Sequence, residues 1–320
     1  MKRLSILFVI LFFNNLFAQQ ASRVLFEEYS HNKAYKTSIE GNYYEGFSGS
    51  QEVTLYDSEN KILWQNIFPA DNNVQIPIVS NKGDVALPLS NRIEFYDKTG
   101  KMIGVYSPDE NGKIWHLTCL CSPVHTYSNS GTNYFTFIKA KPITKFVSIS
   151  KNGKAIWEYD LGKYEPTSIQ IFDKSIIIDD FSIAGRQYEN CCYIFDEQGN
   201  CRFKYQADIK NPSSPPIIVN EMNELWLYDE KKVKRIDLIS YSLKDDVNDD
   251  EILNLIHKDD PRILQFALYL LRHKIKNVEY SSDHFKRLEY LSAIKINHRK
   301  WTNPPIGKLS SELLEFIKNK

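Results

Sequence analysis

A mostly β fold of repeated four-stranded units, followed by a small α-helical segment, is predicted by three features of the 320-residue sequence. A two-strand hairpin pattern recurs along the chain. The recurrences are far enough apart to hold four short strands each. Beyond Asp237 the apolar period changes from two to nearly four, the spacing of helices.

The hairpin pattern is plainest from Asn91 to Tyr106. Ile93 and Phe95 alternate with polar Glu94, so one face of the incoming strand is apolar. Asp97-Lys98-Thr99-Gly100 is turn chemistry, because Asp can accept from backbone amides ahead of it and Gly tolerates a positive φ. The return strand runs from Lys101 to Tyr106. Matching units are centred on Asp57, Ser150 and Asp196, and aligning Ile218–Leu227 with Ile78–Leu87 places a fifth anchor at Asp237. Seven residues past the first, third and fourth anchors stand Trp64, Trp157 and Phe203, and Gly104 interrupts the pattern in the second unit. Anchors about 40–50 residues apart in strand-rich sequence predict a β-propeller of about five to six four-stranded blades. The aromatic residues are then expected to pack between blades.

The Asp, the Gly-Lys turn and the following Trp resemble the blades of PQQ-like propeller repeats, from Gln51 to about Asp237. The turn at Asp97–Lys101 is one residue shorter than the docking motif of that family's quinone-dependent enzymes, and no cofactor is expected.

Residues 1–18 read as a signal peptide. Lys2-Arg3 precede an apolar run from Leu4 to Phe13, and Leu16-Phe17-Ala18 offers a cleavage site before Gln19. The run is shorter than the ~20 residues of a spanning helix. A periplasmic or secreted protein is the expectation, with no transmembrane segment in the mature chain. The β domain is expected over residues 19–242. Two strands are expected near Arg23–Tyr29 and Ala34–Ile39. The first is expected to complete the last blade, with residues 22–45 as a degenerate sixth unit the alternative.

The third unit carries the one metal candidate, His116, Cys119, Cys121 and His125. In a strand Cys119 and Cys121 share a face, and thiolate with imidazole suits zinc or copper. A structural disulfide and buried thiols are the competing readings, since export implies an oxidising compartment. The chain has 5 cysteines, so at least one lacks an intramolecular partner. Cys201 falls opposite Ile194 or Phe195 in the repeat register. A vicinal Cys191–Cys192 disulfide would be the sharpest enzymatic sign, because some quinone-dependent dehydrogenases of the resembled class carry one. Asp179 and Asp180 end an apolar strand. Five-bladed glycosidases use paired carboxylates, with Asp84 or Glu224 as candidate partners here.

The segment 243–320 reads as helical. Asn248-Asp-Asp-Glu251 is a capping box, and Asp260-Pro261 is an N-cap followed by proline at the first helical position. The pair Ile252–His257 and Arg262–His273 resembles one HEAT-type hairpin, with further helices at His284–Asn297 and Ser310–Asn319. From Arg272 to Lys308 basic residues outnumber acidic ones, which reads either as a solvated helical face or as a surface for an acidic partner.

Lys plus Arg and Asp plus Glu are 40 each, so no global field attracts nucleic acid or membrane. No nucleophile elbow, phosphate loop or His-Glu-x-x-His is present. The expected function is an exported, non-catalytic binding or scaffold protein with a protein or small-ligand partner at the cell envelope. The alternative is a propeller enzyme, either a carboxylate glycosidase or a quinone- or metal-dependent oxidoreductase.

Overall fold

The computed structural model describes residues 23–319 apart from 44–46, 70–73, 90, 110–111, 115–124, 141, 165, 167, 180–190, 207–217, 221–222, 230–231, 260, 276–277 and 294–305. Among the described residues five sheets follow one another, four of them unbroken four-stranded meanders in chain order and the third a meander with one added strand. The first holds β1 (Arg23–Tyr29), β2 (Tyr35–Tyr43), β3 (Phe47–Asp57) and β4 (Ile62–Phe68). The second holds β5 (Ile78–Val79), β6 (Val85–Pro88), β7 (Ile93–Tyr96) and β8 (Met102–Tyr106). In the third, β9 (Gly112–Ile114) pairs with β11 (Asn133–Ala140) beside the path from β10 (His125–Tyr127) through β11 and β12 (Ile143–Ser150) to β13 (Ala155–Asp160). The fourth runs β14 (Ser168–Phe172), β15 (Ser175–Asp179), β16 (Cys191–Asp196) and β17 (Cys201–Gln206). The fifth runs β18 (Ile218–Asn220), β19 (Glu224–Asp229), β20 (Lys232–Asp237) and β21 (Leu243–Val247). Four α-helices follow among the described residues: α1 (Asp249–Asn254), α2 (Pro261–His273), α3 (Ser282–Ala293) and α4 (Ile306–Lys318). The fold is mostly β, of β-propeller type, with a small helical C-terminal segment.

All five anchors stand where the third strand of a sheet ends. The reason is local. Asp57 Oδ1 accepts from the amides of Glu59 at 2.9 Å and Lys61 at 3.0 Å. Asp97 Oδ1 accepts from Thr99 at 2.8 Å and Lys101 at 3.1 Å. A short acceptor side chain thus satisfies the amides that the turn removes from the sheet ladder.

Two corrections concern the ends of the β region. β1 pairs with β2 in the first sheet and does not complete the last one. Residues 23–43 are therefore the first two strands of the first sheet, not a separate sixth unit. The last sheet has its own outer strand, β21, paired with β20. β structure thus extends to Val247, five residues past the expected boundary at 242. Lys244, Asp245 and Asp246 hide this strand from a hydrophobicity reading, and charge is what an edge strand tolerates.

The chain forms two compact units: one up to Thr118 with Asn129–Tyr134 and Ile149–Ile156, the other Cys119–Ser128, Phe135–Ser148 and Trp157–Lys320. Within each, a turn of one sheet is seated on the outer strand of the sheet before it. In the first unit a Cβ on Gly100 would lie 3.0 Å from the Trp64 ring. In the second, a Cβ on Gly199 would lie 2.5 Å from the Trp157 ring, whose Nε1 donates to the Glu197 carbonyl at 3.0 Å. Both glycines have positive φ, +83° and +86°. Gly104, where the tryptophan pattern fails, has a different neighbour: a Cβ there would sit 2.3 Å from the Asn152 carbonyl carbon. Reciprocally, a Cβ on Gly153 would meet Val105 backbone oxygen at 2.2 Å. The turn that rides on an indole ring at two junctions rides directly on backbone at this one.

The helices share a core with the last sheet. Trp226, Val233 and Val247 pack in one buried cluster with Ile252, Ile256, Phe266, Leu270, Leu288 and Leu313. Each fully buried leucine or phenylalanine contributes about 1.5–3 kcal/mol. The capping box at Asn248 is present in both directions, at 2.9 Å and 3.0 Å. Pro261 opens α2, and Ile263, Leu264 and Phe266 to Leu268 are all buried, as the near-continuous apolar pattern predicted.

The glycine contacts predict a graded series. Gly162 has positive φ, +64°, and a Cβ added there would meet nothing within 4 Å, so Gly162→Ala should cost only the left-handed backbone strain of about 1 kcal/mol. Gly199→Ala should cost roughly twice that or more, and Gly153→Ala most of all. Urea denaturation of the three variants checks the order, and equal losses would show that the ring and backbone contacts do not matter.

Candidate interaction surface

The outer strand of each sheet ends its hydrogen-bonded ladder. In the first unit these strands carry exposed apolar side chains. Ile62 and Ile67 on β4, Met102 and Val105 on β8, and Ile156 on β13 are between 41% and 71% exposed. Inter-sheet contacts string them into a row. Trp64, between Ile62 and Ile67, lies under Gly100, two residues before Met102. The Val105 backbone lies against Gly153, three residues before Ile156. Buried Trp64 and Phe68 alternate with the exposed residues of β4, so the strand is anchored on one side while its apolar groups face solvent. Open backbone edges beside apolar side chains favour association with other polypeptide. The sequence carried a sign of this: an outer strand reading Ile62-Leu63-Trp64-Gln65-Asn66-Ile67 is more apolar than a solvated edge requires.

The buried carboxylates form ion pairs. Asp84 Oδ2 lies 3.5 Å from Lys151 Nζ. Glu94 accepts from Arg92 Nε at 2.7 Å and from the Tyr96 hydroxyl at 2.6 Å; burial, then this bond, pushes the Tyr96 phenol well above its ordinary range. Asp196 takes Asn200 Nδ2 and Arg202 Nε at 2.9 and 2.7 Å. Glu224 is met by Lys244 at 3.1 Å and Trp226 Nε1 at 3.0 Å, with Arg235 at 3.9 Å and stacked over the indole. Arg235 also reaches Glu251 of α1 at 3.2 Å, tying the first helix to the last sheet. Asp84 and Glu224 thus belong to charge networks of the sheets, and the backbone of Asp179 pairs with Ser168 and Cys192. Asp180 lies outside the described residues.

Of the metal candidates, His125 is buried in β10, and His116, Cys119 and Cys121 lie outside the described residues. Among the described residues no three metal-ligating side chains come together. The vicinal disulfide is not formed, since Cys192 is a thiol. Cys201 is also a thiol and lies opposite Phe195, as the repeat register predicted, so it cannot bridge to Cys192 opposite Tyr205. Burial pushes the Cys201 thiol up, against a lowering bond with Tyr159, and a thiol so placed is a poor nucleophile.

Several basic residues of the helical segment make contacts within it or with the last sheet. Arg287 donates to the Ile256 and Lys258 carbonyls at 2.9 Å and to Asp259, closing the turn before α2. Arg272 stacks on Phe316 at 5.0 Å, and Lys274 lies over Tyr228 at 5.7 Å. Lys286 and Lys308 pair along their own helices with Asp283 and Glu312. Residues 1–18, read from the sequence as a signal peptide, lie outside the described residues, as do Lys295, Arg299 and Lys300. No described helix is long and apolar enough to cross a membrane.

No protein family and no curated protein matches the sequence. Among solved structures the chain is similar to the WD40 domain of SCAP from fission yeast, at 10% identity and a TM-score of 0.44 over 72% of this chain and 56% of that one. It is similar to the C-terminal WD40 domain of Sif2 at 10% identity and 0.44, over 71% and 58%. A protein of unknown function from Bacteroides caccae is similar at 9% identity and 0.36, over 62% and 69%. The chain thus spans less than two thirds of the length of these two WD40 chains.

The turn carboxylates predict acid behaviour. The Thr99 hydroxyl holds Asp97 below the ordinary carboxylate range. Burial acts to raise Asp196, but the Asn200 side chain and amide, with Arg202, bring it below that range. The Ser240 amide, then Lys244, hold Asp237 far below it. A lowered folded pKa stabilises the fold above the unfolded value of about 4 and ceases to do so as pH falls through the folded value. Burial also lowers His273 and His284, with His257 adding to the effect on His284, so stability should begin to fall below about pH 6.5. Asp196→Asn should lower Tm at pH 7, and the two curves should draw together as pH falls below the ordinary carboxylate range. A Tm difference independent of pH would show that the Asp196 charge plays no part.

Proposed function

We propose that this is an exported binding or scaffold protein that holds a protein partner through the outer strands of its first three sheets. The observation that carries the reading is the row Ile62, Ile67, Met102, Val105 and Ile156, exposed on strands whose far edges lack a strand partner among the described residues. A partner contributing an extended segment would gain backbone hydrogen bonds along the edge and bury these side chains. Asp84, Glu94, Asp196 and Glu224 each lie within reach of a lysine or arginine, and this part in the charge networks of the sheets supports the binding reading. The sequence of residues 2–18 supports export to the periplasm or beyond, with a mature chain of β domain and helical segment.

Two experiments test this. A photo-crosslinking amino acid at Ile67 or Met102 should join one discrete protein in the producing cell, and the same group at exposed Glu289 of α3 should not. Ile67→Lys with Met102→Lys should abolish the crosslink made from Val105 while leaving Tm within about 1 °C, because surface changes away from packed contacts cost little. A crosslink that survives this folded double variant would remove the outer-strand site. For export, intact mass of the protein recovered outside the cytoplasm should correspond to a chain starting at Gln19. A mass retaining Met1 to Ala18 would refute cleavage there.

A further inference from the structure

One end of the first unit is a platform of lysines. In an antiparallel meander the connections from first to second strand and from third to fourth strand lie at the same end of the sheet. In the first sheet those connections carry Lys33 and Lys61, in the second Lys82, Lys98 and Lys101, and in the third Lys151 and Lys154. All seven are exposed. The acidic residues of the same turns are Asp57, Glu59, Asp84 and Asp97, which leaves an excess of three positive charges. Their exposure widens the imbalance. Only Glu59 is exposed; Asp84 is buried against Lys151, and Asp57 and Asp97 are half-buried with Oδ1 taken by turn amides. Among the described residues the corresponding turns of the fourth and fifth sheets carry Lys174 as their one lysine, against Asp173, Asp196, Glu197 and Asp237, so lysine is not a general requirement of these turns.

The platform is held level by hydrogen bonds from turn to turn. The Asn32 amide donates to Asn81 Oδ1 at 2.8 Å, and Asn81 Nδ2 donates to the Asn129 carbonyl at 2.7 Å. Asn81 therefore staples the first connections of three successive sheets. A Cβ on Gly83 would touch Lys98 Cβ at 3.1 Å, so the second sheet's two connections also lie side by side. Lysine ammonium groups are flexible point charges without the fixed fork that recognises one planar anion. Seven of them on short, mutually bonded turns match a broad anionic plane better than a single shaped ligand.

We infer that this end of the first unit docks electrostatically on an anionic lipid surface. The inference does not rest on the outer-strand reading: it uses turn lysines, while the proposed protein partner uses apolar side chains of the strands. Attraction of this kind acts over about a Debye length and is lost at high salt, and each lysine near such a surface is worth roughly fivefold in partition.

The test is sedimentation of the full chain with large unilamellar vesicles, either pure phosphatidylcholine or with one third phosphatidylglycerol. Binding is expected only to the anionic vesicles at low salt, with loss in about 0.5 M NaCl. Replacing Lys33, Lys82, Lys98 and Lys101 with glutamine should weaken it roughly a hundredfold or more with Tm unchanged. Lys151 is left intact because it pairs with Asp84. Single glutamine variants, each expected to lose roughly fivefold, keep the test informative if the fourfold variant does not fold. No binding to anionic vesicles, equal binding to neutral ones, or undiminished binding by the variants would overturn the inference. Retention by soluble polyglutamate but not by vesicles would overturn it in favour of an acidic polypeptide.

Discussion

The seat of a turn glycine on the neighbouring outer strand is the contact on which the sheets depend. It joins two requirements at one residue. The turn needs a left-handed backbone, and the neighbour leaves no room for a Cβ. Asp57, Asp97 and Asp196 shape the turn that presents the glycine or its equivalent, and Trp64 and Trp157, seven residues past Asp57 and Ser150, supply the seats for the turns at Gly100 and Gly199. The second and third sheets are therefore both guest and host. Phe95 against Tyr134 at 5.6 Å, and Phe146 and Trp157 against Phe195 at 5.3 and 6.1 Å, extend the same contact inward as aromatic packing.

Charge is organised locally in a chain whose formal net charge is zero. Buried carboxylates are met by cations from their own hairpin or the next: Glu94 by Arg92, Asp196 by Arg202, Glu224 by Lys244. This lets a strand-rich core contain ionised groups without isolating them. The Glu224–Arg235–Glu251 chain extends the arrangement to the start of the helices, beside the apolar cluster around Trp226.

The repeat register was legible because its cause is local. Turn amides need an acceptor at the end of the third strand, and the sequence displays that residue at Asp57, Asp97, Ser150, Asp196 and Asp237. The helix starts at Asn248 and Pro261 were legible for the same reason. The partner of β1 was not, since Arg23–Tyr29 carries no label for which sheet it joins, and pairing with β2 is decided by the ladder of Phe26 on Ile39 and its neighbours. β21 escaped because Leu243–Val247 reads as charge. The lysine platform escaped because its residues are scattered from Lys33 to Lys154, and only the meander gathers them at one end. The outer-strand row was half legible: its apolar residues stand in the sequence, but their exposure depends on which strand is last in each sheet.

The backbone-to-backbone seat at Gly104 and Gly153 makes the blades of this protein non-interchangeable parts. A unit with tryptophan at the seventh position hosts a turn at ring distance, whereas the second unit hosts the Asn152-Gly153 turn at backbone distance. Duplicating, deleting or shuffling a unit at its turn would pair a host with a guest cut to the wrong depth. Recombination that preserves the fold must cross over inside a sheet, so that every host travels with its guest, and the inherited module is the junction between two sheets.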